Sequence, residues 1–381
     1  MIPCGQSESQ RQVAQRIAGI NDTTGNGRTP DMAWLEIDEV SKSYNGRIVL
    51  RELQLEVSQG EKLVLLGASG SGKSTLLRIL AGIEPFERGR IHMDGRELAG
   101  VKPHLRNIGF VLQSGGYFDS LTVRQNLESS LRSTALSARE KESQMRWVAG
   151  LLDIESCFDR NANQLSGGEL QRLVLGRVLV RRPKLLMFDE PLNQLDSSLR
   201  FQLRQDIARW SREIEATCLY VTHDAAEAMQ MGDRIGVLAD GQIQQLDRPE
   251  AVYRLPQTIE IAKLIGTLPP ACFEAQSTPW KIHDQATHYL CRPEQWDVRP
   301  ESLTDRQLIE DSQRIEIQVS LTSKSFQATC WLLQTQATDG RIVYALASSE
   351  QARSLAMGQV IYLSVPRNDV GCYGQNGRRL S

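Results

Sequence analysis

Apolar and polar positions along this chain follow two rhythms, and the changes between them mark out its elements. Apolar residues fall on alternate positions from Leu35 to Val40. The same beat continues around Asn45-Gly46, so the spacing predicts two strands joined by a tight turn. Leu63 to Leu66 is a continuous apolar run of the kind a strand covered on both faces carries. A glycine-rich turn follows it, and then Leu76, Leu77, Ile79 and Leu80 at helical spacing. Hairpins are predicted at Asp94-Gly95 and Asp240-Gly241, and a strand from Ile108 to Leu112. From Leu121 to Asn163 the apolar positions Leu127, Leu131, Met145, Val148, Leu151 and Leu152 predict helix throughout. An amphipathic helix follows Ser166-Gly167-Gly168. Buried strands are predicted at Leu185–Phe188 and Cys218–Thr222, with a helix from about Ser198 to Glu215 between them. Past residue 270 only the strand rhythm remains, at 315–319, 328–333, 342–347 and 360–365.

Strands interleaved with helices imply an α/β unit over residues 33–265, with a helical subdomain at about 114–164. Residues 270–381 read as a small all-β unit. Residues 1–32, rich in Gln, Ser, Asn, Gly and Thr, are expected to form a disordered extension, and they lack the apolar core of an export signal. A length of 381 residues suits two or three domains. Net charge of −2 gives no electrostatic footprint for nucleic acid. Seven scattered cysteines without a C-x-x-C pair point to reduced thiols in a cytosolic setting. No apolar run is long enough to cross a bilayer, so work at a membrane requires a partner.

The chemistry concentrates where strand gives way to helix. Gly67-Ala68-Ser69-Gly70-Ser71-Gly72-Lys73-Ser74 fits the phosphate-loop pattern G-x-x-x-x-G-K-[ST], and Thr75 follows it. Its glycines let successive N–H groups converge on one anion, at the positive end of the helix dipole. Lys73 supplies a full charge toward β- and γ-phosphates, and the Ser74 hydroxyl suits Mg²⁺. The run Leu185–Phe188 ends in Asp189 and Glu190, carboxylates at the carboxyl end of a central strand where open α/β sheets bind ligands. His223 ends the next strand, Tyr44 precedes the first turn, and Ser166–Glu169 is a capping sequence. His283, His288 and Cys291 lie close together without the spacing of a metal site.

Taken in order, these segments resemble the ATP-binding cassette (ABC) ATPases, P-loop NTPases of α/β fold, across about Trp34 to Ile265. GASGSGKST resembles Walker A and LLMFDE Walker B. LSGGE resembles the signature, Gln113 the Q-loop, Asn193-Gln194-Leu195-Asp196 the D-loop and Thr222-His223-Asp224 the H-loop. The stretch VTHDAAEAMQMGDRIGVLADGQIQQLDRPEAVYRLP, with Arg292-Pro293-Glu294 further on, resembles the importer subfamily that energises uptake of sulfate, molybdate, iron(III), polyamines or sugars. Members of that subfamily carry a C-terminal OB-like (TOBE) domain.

The resemblance implies ATP and Mg²⁺ as cofactors. Tyr44 would stack on adenine, and residues 67–75 would hold the phosphates. Ser74, Asp189 and Gln113 would surround the metal, Glu190 would polarise the attacking water, and His223 would contact the γ-phosphate. Ser166, Gly167, Gly168 and Glu169 would close the nucleotide site of a partner cassette, a second copy or a homologue. Separate multi-spanning permease subunits would receive the chain at the cytoplasmic face of the inner membrane. Tyr117, Phe118 and the helical insert would form the docking groove, and an extracytoplasmic solute-binding protein would take part indirectly. Glu169 stands where Gln is usual, Asn193-Gln194 where Ser-Ala is common, and Asp119-Ser120 where Pro-His often occurs. An exporter subunit and a chromosome-maintenance ATPase are the alternatives. The second lacks room for a long coiled coil between Lys73 and Ser166, and no nucleic acid is expected as a partner.

Overall fold

In the computed structural model, residues 33–111, 116–191, 197–266, 268–300 and 313–380 are described. The N-terminal extension, Gln113 and the Asn193–Asp196 segment therefore lie outside the described residues. From Trp34 onward the chain is one unit. Its centre is a six-stranded sheet made of β3 (Lys62–Leu66), β6 (Ile108–Val111), β7 (Leu185–Asp189), β8 (Thr217–Thr222), β9 (Arg234–Ala239) and β10 (Gln242–Asp247). The spatial order is β10-β9-β3-β8-β7-β6, parallel except for β10, which pairs antiparallel with β9.

Because successive side chains leave a strand on opposite faces, each apolar run feeds two cores. Leu63, Leu65, Leu185, Met187, Leu219 and Val221 enter one. Val64, Leu66, Leu186, Phe188, Cys218 and Tyr220 enter the other. The first core holds α1 (Lys73–Ala81) against an antiparallel sheet of β1 (Leu35–Tyr44), β2 (Arg47–Val57), β4 (Arg88–Met93) and β5 (Arg96–Glu97). The second core is covered by α2 (Val123–Ser130), α3 (Ala138–Leu151), α4 (Gly167–Leu179) and α5 (Ser197–Glu213). It also takes in Ala228 of α6 (Ala225–Met231). Asn45-Gly46, Asp94-Gly95 and Asp240-Gly241 all have positive φ at both residues, the backbone of the two-residue hairpin turn.

The helical segment is not continuous. It breaks between α2 and α3, where Thr134 turns its hydroxyl back to the Leu131 carbonyl at 2.7 Å. Ser137 there starts a new helix through a reciprocal capping box with Glu140. Hydroxyl side chains that satisfy backbone groups locally favour caps over helix interiors, and apolar spacing does not register this.

Two short helices, α7 (Pro249–Arg254) and α8 (Ile259–Leu264), lead into the β-rich region. There β11 (Ala271–Glu274), β12 (His288–Cys291) and β18 (Gly371–Tyr373) form a three-stranded sheet. A five-stranded antiparallel sheet is made of β13 (Asp297–Arg299), β14 (Arg314–Gln327), β15 (Cys330–Ala337), β16 (Ile342–Ala347) and β17 (Val360–Pro366), in the order β13-β17-β14-β15-β16. Its outer strands β13 and β16 approach within 8 Å at Cα, so the sheet curls toward closure. A helix, α9 (Ser349–Ser354), lies between β16 and β17. The four longer strands follow the alternating runs, although β14 and β15 both extend past their predicted ends and β15 starts two residues later.

This region is fastened to α7 and α8. The buried Arg292 guanidinium donates from Nη2 to the Tyr253 carbonyl at 2.8 Å and stacks 3.9 Å from that ring's centroid. The Tyr253 hydroxyl donates to Glu294. The Tyr373 hydroxyl donates to the Pro256 carbonyl at 3.1 Å, and the amides of Ile259 and Arg379 bond across to Gly377 and Gln257.

Candidate nucleotide site

The parallel strands end on one edge, and an open cleft of about 1310 Å³ lies over that edge. Its floor is the loop between β3 and α1. Gly72 caps α1 at φ 106°, a backbone that side chains resist. An added Cβ there would meet the Val49 carbonyl oxygen at 2.9 Å and Leu50 at 2.8 Å. At Gly67 an added Cβ would meet the Leu238 carbonyl oxygen at 2.4 Å. The loop is thus pressed against β2 and β9 by contacts that only glycine permits. The first-turn N–H groups of α1 have no intrahelical acceptors, and no acidic residue sits among them to neutralise the helix's positive end. The buried Ser71 hydroxyl has no hydrogen-bond partner among the described residues. This loop has amides, a hydroxyl and a dipole to offer, which is a cradle for phosphate oxygens.

Lys73 is 4% exposed, and its ammonium donates to the carbonyls of Gly67 (2.8 Å) and Ala68 (2.9 Å). Burial pushes its pKa down, while Glu190 and Asp189 act in the opposite direction. Glu190 Oε1 lies 4.0 Å from Lys73 Nζ, and Glu190 Oε2 lies 3.1 Å from Nδ1 of His223. Ser74 Oγ donates to Asp189 Oδ1 at 2.8 Å, joining the first turn of α1 to the end of β7. Two hard oxygen ligands side by side at a phosphate cradle fit the needs of Mg²⁺. The site therefore draws on three strand ends: Lys73 and Ser74 after β3, Asp189 and Glu190 at β7, and His223 after β8. Tyr44 lines the same cleft, 38% exposed, with the Lys42 ammonium 5.0 Å from its ring centroid.

Ser166–Glu169 lies elsewhere on the chain and does not line this cleft. Ser166 caps α4, donating from its amide (2.7 Å) and hydroxyl (2.8 Å) to Glu169 Oε2. Arg160 Nη1 donates to Glu169 Oε1 at 2.9 Å. The Ser166 amide and hydroxyl, then the Cys157 thiol and Arg160, hold the Glu169 carboxyl down to a pKa of about 2. Phe118 is exposed, with the Arg177 guanidinium 4.8 Å from its ring centroid. In the β-rich region, His283 and His288 bond locally to Gln285 and Thr287, and Cys291 is fully buried. Among the described residues no three His, Cys, Asp or Glu side chains gather as a metal site.

Two features escape sequence reading. Arg106, buried, donates to four carbonyl oxygens, including those of Ile79 and Leu80 at the C-terminal end of α1. Glu227 is 2% exposed and sits directly behind the strand end that carries His223. Neither stands out from the polar positions around it. The lining of the cleft also includes Thr258, Glu260, Ile261 and Leu264, so α8 contributes to the site.

A family model described as ABC transporter matches residues 50–193. The sn-glycerol-3-phosphate import ATP-binding protein UgpC of Brucella abortus is 34% identical over 358 residues, covering 92% of this chain and all of the relative. UgpC 2 of Rhizobium johnstonii is 42% identical over 238 residues, covering 62% of this chain and 69% of the relative. Among solved structures, cbiO1 from Clostridium perfringens, part of the ABC transporter complex cbiONQ, superposes with a TM-score of 0.54 at 26% identity. It covers 59% of this chain and 97% of that one.

Proposed function

This chain belongs to the ATP-binding subunits of ABC importers, and from that premise we propose how its residues bind and hydrolyse ATP. It is an ATPase of the ABC transporter class with permease subunits as partners. In our reading the cassette spans 33–265, with its helical subdomain at about 114–164, and 270–381 is a separate C-terminal domain. Tyr44 stacks on adenine through an exposed ring face. The loop of residues 67–75 receives the β- and γ-phosphates through its amides, and Lys73 exchanges its carbonyl contacts for phosphate oxygens. Ser74 and Asp189, with Gln113, hold Mg²⁺, which when bound neutralises charge on the β- and γ-phosphates. Glu190 accepts a proton from the attacking water, and His223, which contacts the γ-phosphate in this scheme, also fixes that carboxylate on the side away from Lys73.

The observation that carries this reading is the string Lys73–Glu190–His223, at 4.0 and 3.1 Å, beside the Ser74–Asp189 bond. One end of the string addresses phosphate and the middle addresses water, which is the division of labour that phosphoryl transfer to water requires.

The signature turn Ser166–Glu169 serves a second cassette in this scheme, and the partner's turn serves this one. ATP then bridges two copies, and hydrolysis releases them. No described helix is long and apolar enough to cross a membrane, and the permease subunits would hold the chain at the cytoplasmic face. The name of the UgpC relatives supports import over export. In this scheme an extracytoplasmic solute-binding protein takes part indirectly. The residues assigned here act on ATP, and solute choice belongs to the other subunits.

Glu190→Gln tests the reading. Removing a general base costs about 10²–10⁴-fold in rate. Steady ATP hydrolysis is expected to fall at least a hundredfold, on that scale, with ATP binding retained. An unchanged rate would overturn the assignment.

A further inference from the structure

His223 reaches Glu190 from an exposed position, its side chain 48% accessible. Among the described residues, the only hydrogen bond its ring makes is the one to Glu190. Its placement must therefore come from its backbone, and both neighbours are locked from behind. Thr222, fully buried, accepts the Asp224 amide at 3.0 Å and donates to Glu227 Oε2 at 2.8 Å. Asp224 caps α6, accepting the amides of Ala226 at 2.7 Å and Glu227 at 3.2 Å. Tyr220, two residues upstream on β8, donates to the same Glu227 oxygen at 3.3 Å.

From this we infer that Glu227 is a positioning residue for hydrolysis, holding His223 against Glu190 through the Thr222 hydroxyl. The inference rests on the functional reading above and adds a group that touches neither nucleotide nor water. A carboxylate suits the task because it accepts only. Thr222 has one hydroxyl proton and already receives the Asp224 amide, so that proton must go to Glu227. The direction of the chain is then fixed. Burial and Glu227 push the Tyr220 phenol well above its ordinary range, which keeps it a neutral donor. Burying a carboxylate is costly unless hydroxyls and amides compensate it, and here two hydroxyls from β8 do so. A solvated polar residue at this position of α6 would serve helix stability equally well. Burial is needed only for reaching β8.

Thr222→Val removes the hydroxyl at nearly constant volume, and Glu227→Gln alters its acceptor. Each is expected to lower kcat for ATP about tenfold, roughly one hydrogen bond's worth of positioning, with KM for ATP unchanged. Thr222→Ser should restore most of the rate. In a His223→Ala background neither change should lower the rate further, because the residue being positioned is gone. Should Glu227→Gln fail to fold, Thr222→Val carries the test alone. Wild-type kcat in both variants would overturn the inference. So would an equal loss in the His223→Ala background, or a change confined to KM. If Glu190→Gln hydrolyses ATP normally, the underlying site reading is at fault instead. If Glu190→Gln is inactive while these two variants keep full rate, only this inference fails.

Discussion

Glu190 occupies a backbone conformation with φ of 49°, while its amide still donates to the Val221 carbonyl at 3.0 Å. A left-handed backbone outside glycine costs about 1–3 kcal/mol, and here it turns the side chain from the strand edge toward Lys73 and His223. Asp189 and Glu190 were legible as a site because an apolar run ends in two acids. Their backbone was not legible, since no composition rule announces strain. Glu169 shows the converse. As a departure from the usual Gln it reads as minor, yet it gathers the Ser166 amide and hydroxyl, the Cys157 thiol and Arg160. Its folded pKa, about 2, lies below the ordinary 4.5. A carboxyl depressed by folding stabilises the native state above its unfolded pKa, and that contribution drains away as pH falls through the folded value. The melting temperature of wild type should therefore exceed that of Glu169→Gln at neutral pH. The gap should narrow between pH about 4.5 and about 2. Thermal melts across that range decide it, and a gap independent of pH would contradict the charge assignment.

At the scale of elements, the strands were the most readable part, because each buried strand supplies two cores and leaves no polar interruption in the sequence. The Asn-Gly and Asp-Gly turns were readable for a similar reason, since their residue types answer a specific backbone demand. The α2–α3 break was not, because hydroxyl-to-carbonyl bonds at Thr134 and the Ser137 cap are local events inside an apolar rhythm that continues past them. Strands of three or four residues such as β13 and β18 offer too few alternations to detect. The loop-to-helix junction at Gly72 combines both lessons. The motif predicts a glycine, and the structure gives the reason: φ of 106° together with the Val49 oxygen 2.9 Å from where a Cβ would sit. Gly72→Ala must pay for strain and for displacing β2, about 1–3 kcal/mol from strain alone. Urea unfolding should show that loss, and ATP binding should weaken at least tenfold because the α1 amides shift. Wild-type affinity in a destabilised variant would mean that the amide cradle tolerates movement of its helix cap.

Across the whole molecule, the nucleotide cleft and the β-rich region share α8. Ile261 and Leu264 face the cleft, whereas Ile259 and Ala262 pack with Leu290 and Tyr373. Arg292-Pro293-Glu294 could be picked out in sequence as a segment, but its use could not, since its partners lie about forty residues upstream. The Arg292 fork bonds Tyr253 and Ala262 carbonyls and stacks on the Tyr253 ring. Lysine cannot reproduce that geometry, because its single ammonium lacks both the fork and the flat face. Arg292→Lys should therefore cost about 1.5–3 kcal/mol of stability, the range for a hydrogen bond to a charged group. If α8 is held in place through this joint, the same substitution should raise KM for ATP severalfold and leave kcat near wild type, because Glu190 and His223 follow β7 and β8 and are not carried by α8. Stability loss with an unaltered KM would show that the cleft wall keeps its position without the joint, and that the β-rich region is attached to the cassette without shaping its nucleotide site.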